Sequence, residues 1–320
     1  MTIISIILTI LGLSLFETIS SIDNAIINAE VLQTMDKKSQ KWFLLWGLLF
    51  AVLIVRGVLP WLIVWLSTPS IGPLGALTAT LGSDPKVSKA IEAASPLLLI
   101  AGGTFLIFLF FNWLFLEPKN YGLRGEYFFH RQAPWFYAVV SLILAVIIWF
   151  ALRQDPMMAF AATIGSTAFF ITHGFKQNAQ LQEKKLMQKG RSDLAKIFYL
   201  EAIDATFSID GVLGAFAFTL SVPLIFLGNG LGAIILRQLT VGNIDRIKKY
   251  AYLKNGAMYS ILFLGLIMLL DSFGYRIPSY ISPVITFLTI GYFFLKSIKK
   301  NNICLERRTL AVVLCRSSYH

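Results

Sequence analysis

The sequence predicts an all-α membrane protein, a polytopic helical bundle of about nine transmembrane helices built as an inverted repeat. Composition gives the first indication. The chain of 320 residues is 56% hydrophobic and only 14% charged, whereas an average soluble domain carries about 25% charged residues. The second indication is a series of apolar runs, each long enough to cross a bilayer. The third is a short acidic motif that occurs once in each half of the chain.

The apolar runs define the predicted transmembrane segments. They are residues 3–34, 41–67, 95–116, 134–152, 157–175, 195–219, 223–243, 252–271 and 279–297. The first is long enough to be tilted or broken. We divide the chain into a first membrane repeat with its connecting helices (1–152), a second membrane repeat (153–298) and a cytoplasmic tail (299–320).

The basic residues indicate how the chain is oriented. The net charge of +11 is concentrated in short loops between apolar runs, and Lys/Arg-rich loops stay on the cytoplasmic side. Loops 35–41, 117–133, 176–196 and 244–254 are therefore predicted to be cytoplasmic, with the N-terminus outside and the C-terminus inside. No basic patch interleaved with aromatic residues occurs, so we expect no nucleic-acid partner.

The repeated motif places carboxylates inside the membrane. Residues 17–24 read ETISSIDN and residues 204–211 read DATFSIDG. In each motif an acidic residue is followed, after three intervening residues, by Ser, and Asp comes two positions after that Ser. A charged side chain at the bilayer centre costs about 2.5–3.5 kcal/mol on insertion scales. The predicted topology gives the two motifs opposite orientation, as in transporters with inverted repeats and a site at the midplane.

We predict a metal site built from both motifs. Its predicted ligands are Glu17, Asp23, Asn24, Asp204 and Asp210, with Ser21, Ser208, Glu201, Arg56 and Arg237 in supporting roles. Each arginine ends an apolar run in the helix after its motif, and intramembrane arginines normally pair with acids. Two alternatives stay open: the acids could form only structural pairs with the arginines, and either arginine could snorkel to the interface.

Helical spacing predicts a distortion at each motif. Glu17, Ser21 and Asn24 share one face of a helix. The second acid of each motif comes six positions after the first, which places it about 120° away on an ideal helix. We therefore expect a bend or unwound turn around residues 19–24 and 206–211.

The predicted ligands favour a hard divalent cation. They are carboxylate, amide and hydroxyl oxygens, without sulfur or imidazole. Such sites suit Mg²⁺, Ca²⁺ and Mn²⁺ rather than copper or zinc. The cation would be the substrate, and no organic cofactor is expected.

With these residues the chain resembles the TerC family of integral membrane proteins. The resemblance rests on the motifs at 17–24 and 204–211, on the glycine pair within 101–106 and on the late hydrophobic span 252–270. It implies manganese or calcium efflux across a bacterial cell membrane. The family often has serine where this chain has Gly211, and extra helices separate the motif spans here. Both departures indicate a distinct TerC-like branch.

The sequence therefore predicts an integral membrane transporter of divalent cations that exports Mn²⁺, with Ca²⁺ as a second substrate, by alternating access. The expected partners are the bilayer and the metal ion, while the oligomeric state is left open. An accessory protein that hands metal to other proteins is one alternative. An intramembrane enzyme with paired aspartates as acid and base is another, although no established protease signature occurs and we expect no enzymatic activity.

Overall fold

A computed structural model describes residues 3–78, 85–186, 192–242 and 249–317. These ranges contain helices and no strand, which confirms the all-α prediction. The helices are α1 (Ile3–Ser20), α2 (Ile22–Leu32), α3 (Lys37–Ser67), α4 (Gly72–Thr78), α5 (Pro85–Leu116), α6 (Arg124–Arg131), α7 (Phe136–Ala151), α8 (Pro156–Leu186), α9 (Asp193–Ala215), α10 (Val222–Gly242), α11 (Leu253–Ser272) and α12 (Ile281–Ser317).

Within the described ranges, seven segments are long and apolar enough to cross a membrane, against the nine predicted. They are Ile3–Ser20, Lys37–Ser67, Lys89–Leu116, Ala133–Ala151, Pro156–Asn178, Leu253–Ser272 and Ile281–Asn301. The two remaining predicted spans correspond to α9 and α10. Helix α9 carries the second acidic motif, and α10 has a shorter apolar stretch, Val222–Gln238. Both nevertheless pack against the apolar helices of the bundle.

Helix α5 lies between α8 and α11 and makes its most extensive contacts with them. It crosses α11 at two glycines: a Cβ added to Gly103 would lie 3.0 Å from the carbonyl oxygen of Gly265. Small residues at a crossing allow two membrane helices to approach closely, and Gly103 has this packing role here. The large aromatic side chains Phe105, Phe108 and Trp113 of α5 are fully buried in the surrounding core.

The first motif contains the predicted bend. Helix α1 ends at Ser20 and α2 begins at Ile22, with Ser21 between them at φ −94° and ψ 10°. Backbone hydrogen bonds continue across this position, from the Ser21 amide to the Glu17 carbonyl and from the Ala25 amide to the Ser21 carbonyl. The chain therefore bends at Ser21 without unwinding.

The predicted distortion at residues 206–211 is wrong. Helix α9 runs without interruption from Asp193 to Ala215. Because the helix stays regular, Asp210 keeps the angular offset from Asp204 that six residues impose on a straight helix. The offset places the side chain of Asp210 on a different face of α9 from that of Asp204.

Helix α3 is irregular where its arginine lies. Two stretches, Phe43–Gly47 and Ala51–Val58, have π-helical geometry. In the second, Nη1 of Arg56 donates a hydrogen bond to the carbonyl of Ala51, five residues earlier, at 3.0 Å. π-Helical turns are rare and are frequent at functional sites. Here the distortion occurs at the one position of α3 where a guanidinium enters the protein interior.

The two motif helices run antiparallel. Glu17 of α1 lies against Gly211 of α9, since a Cβ at Gly211 would overlap the Glu17 carboxylate. Asn24 of α2 donates a hydrogen bond to Asp204 of α9. As the chain advances from 17 to 24, its contacts on α9 therefore move back from 211 to 204. This is the relative direction that an inverted repeat requires.

A second pair of contacts is also consistent with an inverted correspondence between the two halves of the chain. When the two motifs and the two arginines are aligned, Ser14 corresponds to Glu201 and Gly47 to Gly228. The Ser14 hydroxyl lies 2.9 Å from the carbonyl oxygen of Gly228. The carboxylate of Glu201 lies against Gly47, where a Cβ would overlap it. The contact of Ser14 with Gly228 therefore corresponds to the contact of Glu201 with Gly47, with the two halves of the chain exchanged.

Candidate cation site

The centre of the site is an arginine held between the two acidic motifs. Arg56 is 1% exposed and Glu17 is fully buried. Nε and Nη2 of Arg56 donate to Oε1 of Glu17 at 3.0 and 2.6 Å. Nη1 lies 3.6 Å from Oδ2 of Asp204. The π-helical turn of α3 therefore places one guanidinium in contact with a carboxylate from each half of the chain.

The two oxygens of Glu17 have different environments. Oε1 accepts the two bonds from Arg56 and a third from the Ser21 hydroxyl at 3.1 Å. Oε2 is buried and has no hydrogen-bond partner among the described residues. It faces Gly211 of α9, where the absence of a side chain leaves room for it. Glu17 thus has one oxygen held by arginine and one without a hydrogen-bond partner among the described residues.

Other buried oxygens of the site also have no hydrogen-bond partner among the described residues. Asp204 accepts from Asn24 through Oδ1, while its Oδ2 has no hydrogen-bond partner in the described ranges. The Asn24 Oδ1 and the Ser208 hydroxyl are also buried without one. Ser208 lies one turn from Asp204 on the same face of α9. Buried polar atoms in native proteins are nearly always paired, so this group of acceptors calls for a donor or a cation.

Among the described residues, no three Asp, Glu, His or Cys side chains come together as a complete metal site. A cation bound here would therefore add amide, hydroxyl or backbone oxygens to the carboxylates of Glu17 and Asp204. Mixed oxygen sets of this kind are ordinary for Ca²⁺ and related cations. The chemistry of the donors fits the predicted class of ion.

Glu201 and Arg237 form a separate pair next to the centre. Nη2 of Arg237 lies 4.0 Å from Oε1 of Glu201. The guanidinium also lies over the ring of Phe43, 4.1 Å from its centroid, and donates to the Phe43 carbonyl. Arg237 is buried, so the snorkelling alternative is wrong for it. Arg237 forms its ion pair with Glu201, whereas Arg56 contacts Glu17 and Asp204.

The structure separates Asp210 from the other predicted ligands. Its carboxylate forms an ion pair with Lys176 of α8 and lines a cavity on another face of α9. This follows from the regular helix through residues 206–211. Asp23 lies in the first turn of α2, and its side chain is outside the part of the chain that the structure describes.

Two residues near the site were not predicted. Asn229 of α10 is fully buried, with Nδ2 3.5 Å from the Gly211 carbonyl. Lys176 was assigned to a loop, but α8 continues past it to Leu186. A polar residue inside an apolar helix is a functional signal in its own right, and that signal would have identified Asn229.

Comparison with known proteins assigns the chain to a family and finds similar membrane proteins. The family described as "Protein of unknown function (DUF475)" matches residues 22–304, and the chain belongs to this family. It is 27% identical over 104 residues to an "Uncharacterized membrane protein" of Rickettsia felis, covering 32% of this chain and 34% of that protein. A protein of the same description from Rickettsia bellii is 30% identical over 107 residues, 33% of this chain and 35% of its own. The aligned region thus spans about a third of these relatives. No solved structure matches the chain.

Proposed function

We propose that this DUF475 protein is an integral membrane carrier of divalent cations, with Mn²⁺ as the preferred substrate and Ca²⁺ as a second one. The carboxylates of Glu17 and Asp204 would bind the cation, with oxygens from Asn24 and Ser208 completing the site. The observation that carries the proposal is the group of buried oxygen acceptors without partners between the antiparallel motifs. Hard divalent cations take such ligands.

The charges of the site support a cationic substrate. Two carboxyl groups, Glu17 and Asp204, face one guanidinium, Arg56. The neighbouring Glu201–Arg237 pair adds one group of each type. Acidic side chains therefore outnumber basic ones by three to two among these described groups, and a bound cation would offset this excess in the low-dielectric interior.

The arrangement of the helices supports alternating access. The site lies where α1 and α2 of the first half meet α9 of the second half. Inverted repeats of this kind move by rocking one half against the other around a fixed site. Two irregular elements next to the site, the bend at Ser21 and the π-helical turn around Arg56, are places where such a motion could be absorbed.

The proposal also includes the direction of transport, which is export of Mn²⁺, and the location of the protein in a bacterial cell membrane. The resemblance of the acidic motifs to those of the TerC family supports Mn²⁺ efflux, in a TerC-like branch, across a bacterial cell membrane. A carrier also suits the site better than an enzyme with paired aspartates. Such an enzyme shares a proton between two adjacent carboxyl groups, whereas Arg56 contacts both carboxylates here.

Transport in proteoliposomes tests the function. Wild-type protein should admit Mn²⁺ to vesicles that contain a fluorophore quenched by divalent cations, and Asp204→Asn should abolish the signal. Glu92→Gln removes an exposed acid and should behave as wild type. Saturable Mn²⁺ binding without any flux would contradict a carrier and favour the metal-delivery alternative.

The proposed orientation can be tested with single cysteines in a variant lacking Cys304 and Cys315. We expect an impermeant thiol reagent, added to intact cells, to label cysteines at Ser70 and Leu220 but not at Asn178. The first two positions lie on the proposed outer side, and Asn178 precedes a cytoplasmic loop. Labelling at Asn178 would contradict the inverted repeat, because four spans must separate it from the cytoplasmic loop 35–41.

A further inference from the structure

A cavity of about 520 Å³ lies beside the cation site. Asp210 and Phe207 of α9 form part of its wall, and α2, α5, α8 and α11 contribute the rest. Small-molecule sites in proteins commonly enclose about 300–1,000 Å³, so the cavity has the size of an organic ligand. It is much larger than a single metal ion requires.

The charged groups of the cavity are balanced in sign. Lys176 forms an ion pair with Asp210. Nζ of Lys254 lies 2.7 Å from Oε2 of Glu117. Although burial opposes ionisation, the Lys254 ammonium holds the pKa of Glu117 below its usual value. The cavity therefore offers two acidic and two basic groups, all arranged as opposite-charge pairs.

This balance excludes simple ions as good ligands. A bare metal cation would meet the ammonium groups of Lys176 and Lys254. A simple anion would meet the carboxylates of Asp210 and Glu117. Like-charge contacts of this kind are costly and are how a site rejects the wrong ligand. A ligand that carries one charge of each sign would instead replace one partner in each ion pair.

Two unpaired acceptors indicate which polar group the ligand must bring. Asn112 of α5 is 2% exposed, and its Oδ1 has no hydrogen-bond partner within the described ranges. Oδ1 of Asp210 is also buried without a hydrogen-bond partner there. Both residues line the cavity. Because the two ammonium groups disfavour a bare metal cation here, these acceptors call for a hydrogen-bond donor, and the missing group carries N–H or O–H bonds.

The remaining wall is apolar. It is formed by Leu109, Phe169, Phe207, Met258 and Ile261, together with smaller neighbours. Burial of apolar surface favours binding by about 25 cal/mol per Å². A ligand that fits this wall has an aliphatic or aromatic body next to its charged groups.

We propose that this cavity binds a small zwitterionic amino carboxylate with an apolar side chain. Its ammonium group contacts Asp210 and Asn112, its carboxylate contacts Lys176 or Lys254, and its apolar body packs against Phe207. This site is separate from the cation site at Glu17, and the proposal does not depend on metal transport.

Calorimetric titration of the full chain in detergent tests the proposal with three matched probes. Leucine carries both charges, isoamylamine lacks the carboxylate, and 4-methylpentanoate lacks the amine. Leucine should bind saturably, and each of the other two at least tenfold more weakly. An absence of saturable leucine binding, or equal binding of either probe with a single charge, overturns the proposal.

Variants locate the binding. Asn112→Leu keeps the side-chain volume and removes the acceptor. The double variant Asp210→Asn with Lys176→Met removes both members of an ion pair, so no buried charge is left alone. Each should weaken leucine binding at least tenfold, while Glu92→Gln, which removes an exposed acid, should leave it unchanged. Wild-type affinity in both cavity variants, or an equal loss in Glu92→Gln, contradicts the proposed location.

Discussion

Replacement of Arg56 by glutamine is expected to lower the free energy of unfolding by about 3–5 kcal/mol, the usual cost of removing one partner from a buried ion pair. Arg56 donates to Glu17 and contacts Asp204, and all three side chains are buried. Without the guanidinium, two carboxylates face each other in a low-dielectric interior. Reversible unfolding in mixed micelles would measure the change.

Two further variants show whether the loss comes from the buried charges. Arg153 is exposed in the turn after α7, and Arg153→Gln should change the free energy of unfolding by less than about 0.5 kcal/mol. Adding Glu17→Gln to Arg56→Gln removes one unpaired carboxylate and should recover part of the loss. Equal destabilisation by Arg56→Gln and Arg153→Gln would contradict the assigned role, as would strictly additive effects of Arg56→Gln and Glu17→Gln.

Helical spacing was sufficient to predict that three polar residues of the first motif share a face. Glu17, Ser21 and Asn24 recur three and four residues apart, so they share a face. All three are buried and point to the centre. Arg56 was predicted as their counter-charge because an arginine in an apolar helix needs an acidic partner. The bend at Ser21 was predicted from a different spacing, the six-residue offset between Glu17 and Asp23.

The second half could not be predicted with the same rule. A bend at residues 206–211 was inferred so that Asp210 could reach the same ion as Asp204. The regular helix α9 instead leaves Asp210 on another face, where Lys176 pairs with it. This partner was not predicted, because Lys176 belongs to a basic segment that looks like a loop. Whether a side chain finds a partner across the bundle depends on tertiary packing, which local spacing does not contain.

The π-helical turn around Arg56 was not predictable either. Sequence reading assumes 3.6 residues per turn, and nothing in residues 51–58 marks a wider turn. Likewise, the space beside Oε2 of Glu17 exists only because Gly211 of another helix lies there. The resemblance to the TerC motif identified Gly211 only as a departure from the family's serine. The structure shows that it is also the residue that leaves room for the carboxylate.

The largest expected effect on function is the loss of cation binding when either central carboxylate is neutralised. Glu17→Gln and Asp204→Asn each keep the side-chain shape but remove a charge. Each should weaken Mn²⁺ binding by about a hundredfold or more, or roughly 2.8 kcal/mol. Asp210→Asn should bind Mn²⁺ as wild type does, because Asp210 faces the cavity and Lys176.

Isothermal titration of Mn²⁺ into the purified full chain is the most direct measurement of the central claim. We expect saturable binding to the wild type and to Asp210→Asn, and none to the double variant Glu17→Gln with Asp204→Asn. Thermal unfolding of each variant in the same detergent would show that it is folded during the titration. Wild-type affinity in the folded double variant would contradict a cation site between the two motifs.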